Sequence, residues 1–361
     1  MTMKRNAGVC VLALVAALAS LTSCDDMNDE GANRPVIAGE ALADPAVIQH
    51  ESLYYLYGTA ANANHYDVFV SQDGQSWEKH GTVFARDSNL LWAPDVFPDP
   101  PSGRFYLYYS LEFSAGVAVA DSPLGPFVDT GILIEDAIDA HMYFEDGHYF
   151  LYYATTGEKI RTLEQMGKRI FGGMLESLFG DEESMLSSNI YVQRMRSPTE
   201  TSGEAALLLQ PSEPWEKGYS MWVVEAPWLL KEKNRYYLMY SGGPTHESSY
   251  AIGIATADSP LGPFHKSAQN PLLYSTSDAA VFGRKVDGPG HHSVVRENDG
   301  RYRIYFHQNA SRLNLGMGRR YTARGELLID DAGTLEVRLG DDSQLPRNHA
   351  GTRGSRHGAR P

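Results

Sequence analysis

Phe105-Tyr106-Leu107-Tyr108-Tyr109-Ser110 decides the reading of the fold, because the stretch returns along the chain. Tyr54-Tyr55-Leu56-Tyr57-Gly58 precedes it. Tyr149-Phe150-Leu151-Tyr152-Tyr153 and Tyr236-Tyr237-Leu238-Met239-Tyr240-Ser241 follow, and Tyr302-Arg303-Ile304-Tyr305-Phe306-His307 is a looser fifth copy. Four of the five come after a turn signal: Pro101-Ser102-Gly103, Asp146-Gly147, Lys233-Asn234 and Asp299-Gly300. Aromatic runs behind such turns predict the second strand of a hairpin. A second repeat is nearly literal, Asp121-Ser-Pro-Leu-Gly-Pro-Phe127 and Asp258-Ser-Pro-Leu-Gly-Pro-Phe264. Five similar units predict radial repetition, an all-β fold of five four-stranded blades. The competing architecture is a β-sandwich with Tyr-rich strands. The small-residue strands ahead of the second repeat, Gly116–Ala120 and Ile252–Ala257, are expected where blades crowd at the axis.

One segment breaks the β pattern. Between the third and fourth units, Ile160, Leu163, Met166, Ile170, Met174 and Leu178 recur every three or four residues and mark one face of a helix. An amphipathic helix within a β repeat predicts an insertion over 157–188, placed at the mouth of a central pocket as a lid or wall.

The chain has 361 residues, 42% of them hydrophobic, enough to bury a substantial core. Lys plus Arg number 31 against 45 Asp plus Glu, a formal charge of −14. That balance argues against nucleic acid as a partner, which needs a basic footprint. It is compatible with a neutral polar ligand such as a sugar.

Lys4 and Arg5 followed by an apolar run from Val9 to Leu21 form the pattern of a signal peptide over 1–23. The run ends in Leu21-Thr22-Ser23-Cys24, which resembles the lipobox of bacterial lipoproteins and implies a lipid-carrying Cys24. The alternative is ordinary secretion with cleavage near Ser23. The lipobox reading places the protein in the bacterial cell envelope, lipid-anchored on the periplasmic or outer surface. Residues 24–40 read as the anchor and a flexible tether, 41–335 as the propeller, and 336–361 as a tail. Positions 347–361 of that tail hold four Arg and no acid.

Carboxylates precede the aromatic units in similar settings: Asp44 in Ala-Asp-Pro, Asp95 in Trp92-Ala-Pro-Asp95, Asp139 in Ile-Asp-Ala-His, and Glu225 in Glu-Ala-Pro-Trp228. The fifth unit has Gly288-Pro-Gly-His291-His292 instead. In a propeller, equivalent positions converge on the axis, so acids far apart in sequence meet in one pocket. Glycoside hydrolysis needs that combination, one protonated acid for the leaving oxygen and one carboxylate to activate water. Asp44, Asp139 and Glu225 are therefore the candidate catalytic set. Trp92, Tyr143 and Trp228, beside them in sequence, are candidate sugar-stacking residues.

With these motifs in order from about Ala41 to Asp330, the sequence resembles glycoside hydrolase family 43, the five-bladed arabinofuranosidases, xylosidases and arabinanases. The resemblance implies that Asp44 is the general base, Glu225 the general acid and Asp139 the carboxylate that tunes it. It also implies inversion, with the base and acid about 6.5–9.5 Å apart to admit a water. It places Trp92 and Asp95 in a substrate-side Trp-Ala-Pro-Asp segment. His291 falls in the Gly-Pro-Gly-His segment, beside an axial calcium or water. No cofactor is required for the chemistry, and a structural calcium at the axis is the one metal the resemblance suggests. Ala140 departs from the Pro that many members carry. The expected substrate is a plant-type glycan cleaved from its end. A surface glycan-binding propeller without catalysis, and a galactose-specific glycosidase on the same frame, are the alternatives.

Overall fold

The computed structural model describes residues 33–158, 162–178, 180, 185–309 and 319–340. The proposed signal peptide, Cys24 and the basic tail lie outside these residues. Within them the strands fall into five antiparallel groups of four. Blade 1 holds β1 (Leu42–His50), β2 (Leu53–Ala60), β3 (His65–Ser71) and β4 (Glu78–Ala85). Blade 2 holds β5 (Leu91–Pro98), β6 (Phe105–Leu111), β7 (Ser114–Ala120) and β8 (Val128–Ile134). Blade 3 holds β9 (Ile138–Glu145), β10 (His148–Thr155), β11 (Ser187–Ser197) and β12 (Glu200–Leu209), with helix α1 (Leu163–Ser177) between β10 and β11. Blade 4 holds β13 (Trp222–Glu232), β14 (Arg235–Gly242), β15 (Ala251–Ala257) and β16 (His265–Lys266). A short helix α2 (Ala279–Phe282) leads to blade 5, formed by β17 (Gly290–Arg296), β18 (Tyr302–Asn309), β19 (Arg320–Ile329) and β20 (Leu335–Arg338). A two-residue parallel contact, Ser187 with Trp222 and Ser188 with Val223, links blades 3 and 4.

Every aromatic repeat is a second strand. The apolar core divides in the same way, into one cluster for each junction between neighbouring blades. Blade 1 packs on 2, 2 on 3, 3 on 4, 4 on 5 and 5 back on 1. A sandwich has one core between two sheets, so five junction cores in a closed ring make this a propeller.

Tyrosine is the residue of choice at these junctions because it fills volume and still carries a polar end. Tyr57 donates its hydroxyl to the Pro123 carbonyl of the next blade at 2.5 Å. Tyr108 reaches Pro198 O at 2.7 Å, Tyr152 reaches Pro260 O at 2.5 Å, and Tyr305 reaches Gly74 O at 3.2 Å. The near-literal Asp-Ser-Pro-Leu-Gly-Pro-Phe repeats are thus receiving loops that supply the Pro123 and Pro260 carbonyls. Each such bond contributes about 1 kcal/mol net, and leaving a buried hydroxyl unpaired costs more.

Two expectations are corrected here. The small-residue strands β7 and β15 are third strands, away from the axis. Their glycines are needed by aromatic rings: a Cβ on Gly116 would stand 2.2 Å from Tyr109 Cζ, and one on Gly253 2.9 Å from Tyr240 Cζ. The expected tether is also shorter than 24–40. Val36 donates its backbone N–H to Thr322 O at 2.9 Å, and Val36 and Ile37 pack on the blade 5–blade 1 cluster. Apolar side chains found a surface there, so 33–40 belong to the folded unit. At the other end the propeller runs to Arg338, just past the expected 335.

Candidate active site

The inner strands β1, β5, β9, β13 and β17 share one irregularity. Each shifts register against its second strand near its start. At each shift one non-glycine residue takes the left-handed backbone conformation: Asp44 (φ 49°), Ala93 (φ 48°), Asp139 (φ 58°), Ala226 (φ 49°) and His291 (φ 43°). Such conformations are unfavourable for these residue types and persist where the surroundings hold them. Five equivalent bulges around one axis turn the local backbone and bring residues from all blades to one place.

What holds them is a ring of acceptors from the preceding blade. Thr59 Oγ1 accepts the N–H of Ala93 at 2.8 Å, and Ser110 Oγ accepts that of Asp139 at 3.0 Å. Ser241 Oγ accepts from His291 at 2.7 Å, and His307 Nδ1 from Asp44 at 3.2 Å. These four end their second strands, opposite the residue before each bulge. The equivalent place in blade 3 is Ala154, opposite Ile138, which has no acceptor. There Asp139 Oδ2 itself accepts the N–H of Ala226, at 3.1 Å.

Asp44 is buried and the most heavily bonded of the acids. Thr59 donates to its Oδ2 at 2.7 Å, and Arg320 Nη1 to its Oδ1 at 3.1 Å. His307 Nδ1 lies 2.9 Å and His291 Nδ1 3.5 Å from Oδ1. Burial alone would raise this carboxyl, but Arg320, then the two histidines, hold it well below the ordinary carboxylate range. Asp139 goes the other way. Burial, then repulsion from Glu225 and Asp44, raises it well above its ordinary value. Glu225, half-buried, accepts a 2.8 Å hydrogen bond from Tyr250 Oη. Burial raises it and the Tyr250 bond opposes that, while Asp44 adds repulsion; it comes to about 7. The site therefore holds a carboxylate kept charged beside two carboxyls that hold their protons more tightly than usual. His307 is pushed down to about 3 by burial and by Arg320, so it is a neutral partner of Asp44.

The three candidate catalytic acids and His291 are brought together: His291 Nδ1 lies between Asp44 and Asp139, 4.0 Å from Asp139 Oδ2. The acids are not strictly equivalent, though. Asp44 and Asp139 occupy the bulge position itself, Glu225 stands one residue before it and Asp95 two after. That offset sets Asp95 further along the channel, where it still lines a cavity with Asp139 and His291. Its Oδ2 lies 3.1 Å from His141 Nδ1 and accepts the N–H of Met142 at 3.3 Å. Asp95 and Trp228 also line a cavity of about 300 Å³ with Val47, Val96, Met142 and Val294. The Trp228 ring lies against His141, centroids 4.2 Å apart. Tyr143 bonds Glu145 at 3.3 Å and packs edge-on to Tyr236. Tyr143 is thereby held in the blade 3–blade 4 junction, whereas Asp95 and Trp228 line one cavity with Asp139 and His291. In a strand each step adds about 3.3 Å, so two or more residues past the bulge is already another level of the channel. Trp92 stays next to Ala93 at the site.

The sequence reading missed Arg320, His307, Tyr250 and the hydroxyl ring. Ser110, Ser241 and His307 were visible as the polar residues closing three aromatic runs. Arg320, at the start of a third strand, carries no such signal. The calcium expectation meets a poor donor set. Among the described residues no group of three or more His, Cys, Asp or Glu side chains is placed to hold a metal. The buried axial atoms without partners include His141 Nε2 and both His292 ring nitrogens, whereas calcium takes six to eight oxygens. His291 stands beside the acids, with Nδ1 3.5 Å from Asp44 Oδ1 and 4.0 Å from Asp139 Oδ2.

Known proteins resemble this arrangement closely. The sequence profile of "Glycosyl hydrolases family 43" matches residues 32–329. A xylosidase/arabinosidase of Bacteroides ovatus is 27% identical over 76% of this chain and 88% of its own. A beta-D-galactofuranosidase of Aspergillus niger is 26% identical over 84% of each. Among solved structures, a thermostable family-43 glycoside hydrolase superposes with TM-score 0.72 and 30% identity, covering 89% of this chain and all of that one. An alpha-L-arabinofuranosidase from Lactobacillus brevis shares the fold at TM-score 0.66 and 20% identity, over 88% of this chain and 98% of its own.

Proposed function

The chain belongs to family 43 of the glycosyl hydrolases, and from that membership we propose that it removes arabinofuranosyl or xylosyl residues from plant-type glycans, with Asp44, Glu225 and Asp139 as its catalytic apparatus. It is an inverting glycoside hydrolase. The observation that carries the residue roles is the opposed setting of the two carboxyls, Asp44 bonded by Thr59 and Arg320 and held charged, Glu225 bonded by Tyr250 and raised by burial. Glu225, neutral below about 7, gives its proton to the glycosidic oxygen as the bond to the anomeric carbon breaks. Asp44, charged, takes a proton from the water whose oxygen forms the new bond on the opposite face. Solvent then returns the proton to Glu225 and removes one from Asp44. Asp139 is the partner of Glu225: the two carboxylates repel when both are charged, which disfavours losing the second proton.

The Bacteroides relative supports pentosides as substrates. The galactofuranosidase relative favours a second reading, galactofuranosides, since galactofuranose and arabinofuranose both present a five-membered ring. A panel of nitrophenyl arabinofuranoside, xyloside and galactofuranoside separates them, and an NMR time course of the first-released anomer checks inversion. Retention of activity by Glu225→Gln on all three substrates would overturn the assignment of the acid. A glycan-binding propeller without catalysis would hydrolyse none. The lipobox-like Leu21–Cys24 supports anchoring in the cell envelope through Cys24, tested by loss of fatty-acid labelling in Cys24→Ala.

A further inference from the structure

Helix α1 interrupts a hairpin instead of joining two blades. Thr155 at the end of β10 pairs with Asn189 of β11, so residues 156–188 are looped out of a ladder that is already closed. The helix is nevertheless a built element. Thr162 caps it, accepting the Gln165 N–H at 3.1 Å, and Arg169 reaches back to Glu158 at 3.0 Å. The expected stripe divides. Met166 and Ile170 pack inward against Trp92, Phe113 and Leu186, with Leu90 and Met221. Leu178 turns outward and is 80% exposed. Ile160 lies outside the described residues.

Each inward contact is a short step from the acids. Trp92 precedes Ala93, whose N–H is held by Thr59, the same hydroxyl that donates to Asp44. Phe113 lies just past Ser110, which holds Asp139. Leu186 precedes Ser187, paired with Trp222, and Met221 leads into the strand of Glu225. The helix therefore sits on the rim of the site over blades 2, 3 and 4. Among the described residues, its apolar cluster draws on none from blade 5 or blade 1.

We propose that α1 is a wall that ends the sugar cleft at Trp92, so that only the terminal residue of a glycan reaches Asp44 and Glu225. The proposal rests on the hydrolase reading above. A cleft open at both ends admits an internal segment of a chain; one stopped by a packed helix admits only an end.

The test compares the full chain with a variant in which a short Gly-Ser link replaces 160–184, and with Ile170→Asp, which undocks the helix without shortening the loop. Both are given the preferred nitrophenyl glycoside and a linear hexasaccharide of the same sugar. The wild type is expected to release only monosaccharide from the hexamer. The linked variant is expected to release disaccharide and trisaccharide as well, while nitrophenyl kcat/KM stays within about threefold. Ile170→Asp should show the same internal products in smaller amount, and it carries the test if the linked variant does not fold. Monosaccharide alone from a variant with intact nitrophenyl activity overturns the wall, as do internal products from the wild type. A wild type inert on every nitrophenyl glycoside overturns the hydrolase reading instead.

Discussion

Asp139 Oδ2 accepts the backbone N–H of Ala226 at 3.1 Å, the bond that Thr59, Ser110, Ser241 and His307 make at the other four blade junctions. Blade 3 offers only Ala154 at that place, so the tuning carboxyl also holds the backbone beside the acid it tunes. This bond favours the charged form of Asp139, against burial and the repulsion of Glu225 and Asp44. It ties the orientation of Asp139 to the strand that carries Glu225.

Ala154→Ser should separate the two tasks. A serine hydroxyl there can accept the Ala226 N–H as Ser110 and Ser241 do for their neighbours. Asp139 then loses a donor that favours its charge, becomes neutral more readily, and repels a charged Glu225 less. The alkaline limb of the kcat/KM profile should move to lower pH with the fold intact. Asp139→Asn, which keeps an acceptor oxygen but removes the charge, should move it the same way and further. An unchanged limb in both would remove Asp139 from the control of Glu225.

Glu225→Gln should lower kcat by about 10²–10⁴-fold on substrates with poor leaving groups, the usual worth of a general acid. On a dinitrophenyl glycoside, whose leaving group needs no proton, most of the rate should survive. Asp44→Asn should be slow on both, because the water still needs its base. Equal losses for Glu225→Gln on the two substrates would contradict the acid's role.

Arg320→Gln tests the source of the charge on Asp44. Arg320 lowers both Asp44 and Glu225. Its removal should raise both, so the acid limb set by Asp44 and the alkaline limb set by Glu225 move to higher pH together. Movement of one limb alone would show that Arg320 addresses only one carboxyl. The pH dependence of kcat/KM reads both limbs in the free enzyme.

Glu225 also makes a prediction about stability. Its folded-state value, about 7, exceeds its ordinary 4.5, so the folded protein binds this proton more tightly than the unfolded chain. Stability then falls as pH rises from about 4.5 to 7, and the full cost persists above. Gln cannot ionise and escapes it. Glu225→Gln should therefore melt higher than the wild type at pH 8, by up to about 3 kcal/mol in unfolding free energy. The difference should disappear near pH 4. A variant less stable at pH 8 would mean that the Tyr250–Glu225 bond outweighs the burial of the charge.

The repeats alone determined the architecture of this protein. Five aromatic runs behind turn signals are a local, periodic signal, and each became a second strand whose tyrosines fill a blade junction. The acids Asp44, Asp139 and Glu225 were legible for the same reason, since radial repetition sends like positions to the axis. What no linear reading decided was the register. A bulge shifts the chain by one residue, and a strand step of about 3.3 Å separates one level of the channel from the next. Asp95 and Trp228, two residues past their bulges, stand further along the channel, where they line a cavity with Asp139 and His291 and a larger one with Val47 and Val294. Arg320 and His307 were assigned to Asp44 only when blade 5 closed against blade 1, because the charge of a buried carboxyl depends on neighbours brought from more than 250 residues away.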